Sequence, residues 1–288
     1  GAQIVQIPFF HFIRKEFPEH KIIGIAPEKS SYVLKQYGYL DEEWSYPVKG
    51  NVLSLIKLAW KARQYQPAIV FQHRKHSLKT SFSAWLAAGR GIKVKGFKGD
   101  LTRLFFTWEI PFNFNVYMAD VYLSLIGKQL KQFHDEINPT SPKKEKKITI
   151  IPGGSFEYKK YPLKQYLEVA QQFEKDYQID FILGPDMQEE FDTLKSLADR
   201  YHIHFNKSLK DVEQVIRTSS LVIANDCGPS HFAHVFNIPR ITLFAADWDV
   251  KQWFYPSENS RYLYSESREE IHTIPVGDIV NAAEELLG

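Results

Sequence analysis

Three short stretches in the second half of the chain place glycines, hydroxyls and a lysine where an anion can be held. The densest is Ala224-Asn225-Asp226-Cys227-Gly228-Pro229-Ser230-His231. An apolar run leads into Asn-Asp, turns at Gly228 and starts a helix with Pro229 near its first position. Gly228 permits a tight turn and a close approach by a ligand, and free amides at a helix start favour negative charge. His231, one turn in, is placed to donate to a phosphate or sugar oxygen. The plainer alternative is a well-capped turn in which Asp226 satisfies local backbone amides.

The second stretch is Pro152-Gly153-Gly154-Ser155, followed by Lys159, Lys160, Tyr161 and Pro162. A glycine pair after a strand exposes amides that can cradle phosphate, Ser155 adds a hydroxyl, and a lysine supplies positive charge. The spacing is neither a Walker loop nor the dinucleotide G-x-G-x-x-G, and a Gly-Gly turn is more often only a turn. Third is Gly184-Pro185-Asp186-Met187-Gln188-Glu189-Glu190. An acid or amide just past a strand end accepts well from ribose hydroxyls, although acids here also suit a helix start. Other chemistries lack their patterns: there is no H-E-x-x-H, no G-x-S-x-G, and no cysteine with an identifiable base. His73-Arg74-Lys75-His76 is basic rather than metal-binding in character.

The elements that must position these stretches alternate regularly. Strands are expected at 148–151, 179–183, 202–205, 221–224 and 241–244. Between and after them, helices are expected with Pro162 in the first turn of one that runs through Phe173, then at Phe191 to Ala198, Val212 to Ile216, Pro229 onward, and 279–287. The first half follows the rhythm less cleanly, with strands expected at 21–26, 68–72 and 92–96. Its helices are expected at 8–17, 52–65, 78–88 and 116–130. Alternation of this kind predicts parallel sheets covered on both faces. The fold class expected is α/β: two Rossmann-like domains, 1–138 and 148–288, facing a central cleft and joined by a linker at 139–147. The linker reads Pro139-Thr140-Ser141-Pro142 followed by a lysine-rich run. The chain opens on a helix where such a domain normally begins with a strand, so a further N-terminal strand is expected ahead of it.

The 288 residues are enough for two cores, and no apolar run approaches the roughly 20 residues that span a bilayer. Cys227 is the single cysteine, which excludes an intrachain disulfide and fits a reducing, cytoplasmic setting. The net charge of +2 hides an asymmetry: residues 1–141 hold 19 Lys/Arg against 11 Asp/Glu, and the remainder 17 against 23. Within 71–103 there are eight basic residues and one acid, Asp100. A basic half suggests an anionic partner, with a merely solvated basic face as the alternative.

In this order and spacing, the three stretches resemble glycosyltransferase family 9, the ADP-heptose:lipopolysaccharide heptosyltransferases. Asn225-Asp226-x-Gly228-Pro229-x-His231 is the most specific match. Ile238-Pro239, Leu243-Phe244, Trp253 and Pro256 resemble its closing segment, and residues 152–162 its phosphate loop, with Lys159 at the lysine. Gly1 to Pro18 and residues 68–96 match more loosely. The resemblance implies the GT-B arrangement, with Gly153, Gly154, Ser155 and Lys159 on a donor diphosphate. It also implies that Asp226, Cys227, Gly228, Pro229, Ser230 and His231 line the same pocket, with Gln188 or Glu189 near the ribose. Lys159 and Asp226 are the implied catalytic residues. Arg74, Lys75, Lys79 and Arg103 would face an acidic glycolipid such as Kdo-bearing lipid A.

The implied reaction is inverting transfer of heptose from ADP-heptose to a lipopolysaccharide-core hydroxyl, with neither metal nor cofactor required and no nucleic acid partner. It needs a general base, commonly an acid after the glycine that begins the family's first helix. Here Gly1 is followed by Ala2. Ala2 motivates the alternative of a catalytically impaired or non-catalytic binding homologue; Asp100 and Glu109 are substitutes with nothing in their spacing to recommend them. Ala245 also departs from a glycine frequent in the family. Phe9, Phe10, Phe12, Phe105, Phe106, Trp108, Phe112 and Phe114 should mostly be core. A few beside the basic patch would dock peripherally on the cytoplasmic face of an anionic inner membrane.

Overall fold

The computed structural model describes residues 3–27, 32–47, 52–75, 77–99, 101–138, 142–247, 250–267 and 270–288. Ala2, Asp100 and the Pro139-Thr140-Ser141 part of the expected linker lie outside them, as do His76 and the side chain of Arg103. The chain divides into two compact units. One holds Gln6–Phe114 and Met118–Leu130; the other holds Lys131–Gly288 with Gly1–Val5 and Asn115–Tyr117.

In the first unit, α1 (Ile7–Glu16) follows a 3₁₀ turn at Ile4–Gln6. Pro8 sits in its first turn, where the missing N–H costs nothing, and Ile7, Phe9, Phe12 and Ile13 form its buried face. Strand β1 (Ile23–Pro27) leads to α2 (Tyr32–Gln36), β2 (Glu42–Tyr46) and α3 (Val52–Gln64). Then come β3 (Ile69–Gln72), α4 (Leu78–Ala88), β4 (Lys93–Phe97), a 3₁₀ turn at Thr102–Leu104, β5 (Trp108–Ile110) and α5 (Met118–Ser124). All pairings are parallel, and among the described residues the strands form two separate sheets, β1-β2 and β3-β4-β5.

The single helix expected at 116–130 is instead α5 and a second helix, α6 (Leu130–Ile137). Gly127 takes φ +67° between them, a left-handed value that glycine adopts without strain. The Asp120 carboxylate accepts the Leu130 amide at 2.6 Å and so caps the new helix. Burial holds the Asp120 carboxyl above its ordinary range, against the lowering by that amide.

The second unit is a six-stranded parallel sheet. Its strands are β6 (Lys147–Ile151), β7 (Gln178–Leu183), β8 (His202–Phe205), β9 (Leu221–Asn225), β10 (Arg240–Phe244) and β11 (Ser260–Tyr264). Helices α7 (Leu163–Phe173), α8 (Gln188–Lys195), α9 (Leu209–Thr218), α10 (His231–Val235), α11 (Val250–Trp253) and α12 (Val276–Leu287) connect or follow them. The spatial order is β11-β10-β9-β6-β7-β8. Every residue of β6, β9 and β10 is buried, so these strands are mostly apolar, and their polar members Lys147, Thr149, Asn225, Arg240 and Thr242 are buried with the rest. Helices α7 and α12 pack their apolar faces on the sheet through Tyr166, Val169, Ala170, Ile279 and Ala283. Pro162 is the cap of α7 rather than part of its first turn. No described helix is long and apolar enough to cross a membrane.

Candidate functional site

The strand order of the second unit reverses at β6. The chain leaves β6 toward β7 and β8, then returns to lay β9, β10 and β11 on the other side. Ligands of open α/β sheets bind beyond the carboxyl ends of the strands at such a switch point. Ile151 pairs with Ala224 in register, so the loops after β6 and β9 start side by side. Two of the three stretches picked out by residue type therefore meet.

Asn225, fully buried, ties them together. Its Nδ2 donates to the carbonyl of Pro152 at 2.7 Å and that of Gly153 at 3.3 Å. Its Oδ1 accepts from the Tyr166 hydroxyl at 2.8 Å and the Tyr161 amide at 3.3 Å. Asn225 was read in the sequence only as part of a motif; its positioning role was missed. The signal available was an amide side chain ending an apolar strand, which must find buried partners.

The loop after β6 folds back on itself. A Cβ on Gly154 would stand 3.2 Å from the carbonyl oxygen of Lys159, so this position favours glycine on space alone. Lys159 ends a 3₁₀ turn at Glu157–Lys159 and its Nζ donates to Asp226 Oδ2 at 2.6 Å. The ammonium side chain is 15% exposed and the carboxylate 9%. A largely desolvated cation thus stands at the end of the loop after β6, oriented by the acid of the neighbouring turn. Ser155 is exposed at the loop's tip.

The third stretch reaches this loop through Met187, whose sulfur would lie 3.3 Å from a Cβ on Gly153. Gln188 and Glu189 follow on the exposed first turn of α8. The Gln188 amide donates to Asp192, and Glu189 lines a shallow groove with Leu163, Leu167 and Thr193. Met187, rather than either of these two, is the residue the structure puts against the glycines.

The turn after β9 is held by Ser230, whose hydroxyl donates to the Cys227 carbonyl at 2.8 Å. The helix expected from Pro229 is the short α10, preceded by turn residues 228–230. So short a helix has little summed dipole, and its contribution is local amide hydrogen bonding. Burial pushes the Cys227 thiol up to about 11, which removes it as a nucleophile at neutral pH. His231 is buried, with Nδ1 3.1 Å from the Tyr117 hydroxyl and the Trp253 ring 5.4 Å away. Burial pulls it down to about 3, so it is a neutral imidazole.

Beneath it, Arg240 is buried and its Nε donates to His234 Nδ1 at 2.9 Å. A guanidinium only donates, so His234 carries its proton on Nε2, 3.3 Å from Thr242 Oγ1. Arg240 also donates to the carbonyls of Ile238 and Tyr255, tying α10 to the chain after α11.

These buried imidazoles make stability pH-dependent. Burial lowers His134, on α6 with its Nε2 3.1 Å from the His234 carbonyl, to about 4, and His231 to about 3, below the unfolded value of 6.5. The unfolded chain binds more protons below pH 6.5, so the stabilisation is complete above that pH and lost on descending toward 4. Urea unfolding should show stability falling by several kcal/mol over this window. His231→Gln should flatten the slope; an unaltered slope would remove the assignment.

In the first unit, Arg74 and Lys79 are exposed. Lys75 Nζ sits 3.2 Å from the Phe114 ring centroid, and burial lowers its pKa. Glu109 accepts from Thr102 Oγ1 at 3.3 Å.

The model of glycosyltransferase family 9 (heptosyltransferase) matches residues 62–270, most of the chain. The chain belongs to glycosyltransferase family 9. Membership makes it a glycosyltransferase, as its glycine loop, lysine and Asn-Asp-x-Gly-Pro-x-His turn led one to expect. Over its full length it is 23% identical to lipopolysaccharide heptosyltransferase 1 of Campylobacter coli, covering 96% of that protein. A family 9 glycosyltransferase from Veillonella parvula has a similar structure, with TM-score 0.75 at 18% identity over 99% of this chain and 94% of that one. The E. coli heptosyltransferase WaaC with ADP gives 0.74 at 14% identity, over 99% and 96%. The α/β, GT-B fold class expected from the sequence is the fold of these family 9 enzymes.

Proposed function

We propose that this glycosyltransferase 9 member moves a heptose, with inversion, from ADP-heptose to an acidic hydroxyl-bearing acceptor of the lipopolysaccharide core. The carrying observation is the Lys159 ammonium, held by Asp226 where the loops after β6 and β9 meet, at the switch point of the sheet. In transfer, the acceptor oxygen bonds to the anomeric carbon as the bond to the diphosphate breaks, leaving negative charge on ADP. A preorganised cation and backbone amides in a water-poor site stabilise that charge. Lys159 supplies the cation, and the loops after β6 and β9 supply amides. His231, neutral and anchored at one nitrogen, can donate from the other to a donor oxygen. The acceptor hydroxyl gives its proton to a general base as the new bond forms. The donor is a substrate, so the reading needs no resident cofactor. Support for heptose and ADP comes from the family and from WaaC having been solved with ADP and with an ADP-2-deoxy-2-fluoro heptose.

The basic first half would take the acidic acceptor, with Arg74, Lys75, Lys79 and Arg103 as its candidate contacts, at the cytoplasmic face of the membrane. Calorimetric titration with ADP, UDP and GDP tests the donor. Saturable binding selective for ADP is the expected result, and the absence of any nucleotide binding would overturn the reading. Donor binding without sugar transfer to any core acceptor would favour the non-catalytic homologue raised by Ala2.

A further inference from the structure

We infer that the outer face of α3, α4 and the 3₁₀ turn at Thr102–Leu104 is a docking surface for a bilayer rich in anionic headgroups. Helix α4 carries an exposed apolar stripe that a helix facing only water would lack. Leu78, Phe82 and Trp85, at i, i+4 and i+7, share its outer face, and Trp85 is 46% exposed. Its inner face is apolar too, burying Ala84, Leu86, Ala87 and Ala88 together with Ser81 and Ser83. Surface helices ordinarily turn the apolar stripe inward and the hydroxyls out.

The apolar face is continuous. The Phe82 and Trp85 rings stack at 5.8 Å, and Phe105 meets them at 5.8 and 6.3 Å. In the turn beside Phe105, Leu104 is 68% exposed. On the other flank, α3 packs Ala59 against Leu86 and Ala87, with Ile56 and Phe82 joining the same cluster, and leaves Trp60 54% exposed. Phe9 and Phe12, which the sequence also offered for this role, are core residues.

Charge decides the occupant. From Trp44 to Gly99 the sequence has eleven Lys and Arg and not one Asp or Glu. Lys57 and Arg63 on α3, Lys79 on α4, Arg90 just after α4 and Lys98 just after β4 are exposed. Exposed tryptophan and leucine within a cationic rim match the interface of an anionic membrane, where the rings sit at headgroup level and the cations meet phosphate. A second copy would set the same cations against each other across a two-fold axis. The inference deepens the reading of a lipid-borne acceptor by naming the surface that meets the lipid. Vesicle binding is measured without donor or acceptor, so the two fail separately.

The test is flotation of the purified protein with phosphatidylethanolamine/phosphatidylglycerol vesicles and with phosphatidylcholine alone, at low and high salt. Binding to the anionic vesicles only, weakened by salt, is expected. Trp60→Ser/Trp85→Ser/Leu104→Ser should weaken it at least tenfold while leaving thermal unfolding and ADP titration unchanged. Lys57→Gln/Lys79→Gln should weaken it through charge alone, independently of any packing change in the first variant. No flotation of the natural sequence, or equal flotation of both variants, overturns the proposal. So does a dimer in light scattering that the triple substitution dissociates without any vesicle binding.

Discussion

Lys159→Ala is expected to weaken ADP binding about a hundredfold. A charge-assisted hydrogen bond is worth about 1.5–3 kcal/mol, and each 1.4 kcal/mol is about tenfold in affinity. The upper end applies because the ammonium is mostly desolvated before ligand arrives, so little hydration is left to lose. Asp226→Asn should act in the opposite direction on ADP. It removes a negative charge 2.6 Å from the ammonium that would otherwise repel the diphosphate. Calorimetry on the two variants separates a ligand-facing lysine from a structural ion pair. If both substitutions weaken ADP equally, the pair only braces the loops, and the donor assignment fails. Lys159→Ala should also cost roughly 1–3 kcal/mol of stability, because it takes the cation from a buried carboxylate. The titration therefore belongs well below the variant's melting temperature.

How much was legible follows the burial of each element. Strands β6, β7, β9 and β10 lie inside a sheet covered on both faces, so their sequences are mostly apolar and their bounds were read to within a residue or so. β11 was missed because it is the sheet's edge: Arg261, Tyr262 and Tyr264 are partly or well exposed, and the pattern becomes polar. β2 opens on two glutamates and β5 is three residues long, too short for a period to show. The break at Gly127 was hidden because apolar residues continue on both sides of it; only the left-handed φ and the Asp120 cap end the helix. In the site, Gly154, Lys159 and Asp226 were legible from residue type. That Lys159 and Asp226 touch was not, since they are far apart in sequence and meet only through the β6–β9 pairing. The docking face was legible in composition but not in detail. Which aromatics are exposed depends on which side of α4 faces the sheet, and apolar residues lie on both sides.

The second large effect is expected at Asn225, where Asn225→Ala should cost about 3–5 kcal/mol and loosen the donor loop together. Alanine leaves the buried Tyr166 hydroxyl, the Tyr161 amide and the Pro152 carbonyl without the partner they share, in a region closed to water. Each orphaned buried group costs about 1–3 kcal/mol, and some relaxation reduces the sum. Burial already holds the Tyr166 hydroxyl far above its ordinary range, so it cannot recover by ionising. Urea unfolding measures the loss. A double-mutant cycle with Tyr166→Phe should show coupling of about 1 kcal/mol, since the two side chains share one bond. ADP titration of folded Asn225→Ala then asks whether the staple matters to the site. Binding should fall at least tenfold, because the carbonyls of Pro152 and Gly153 fix the loop that carries Lys159. A variant that is destabilised yet binds ADP as the natural sequence does would show that the loop holds its shape through Gly154 and Lys159 alone, and that Asn225 serves only the core.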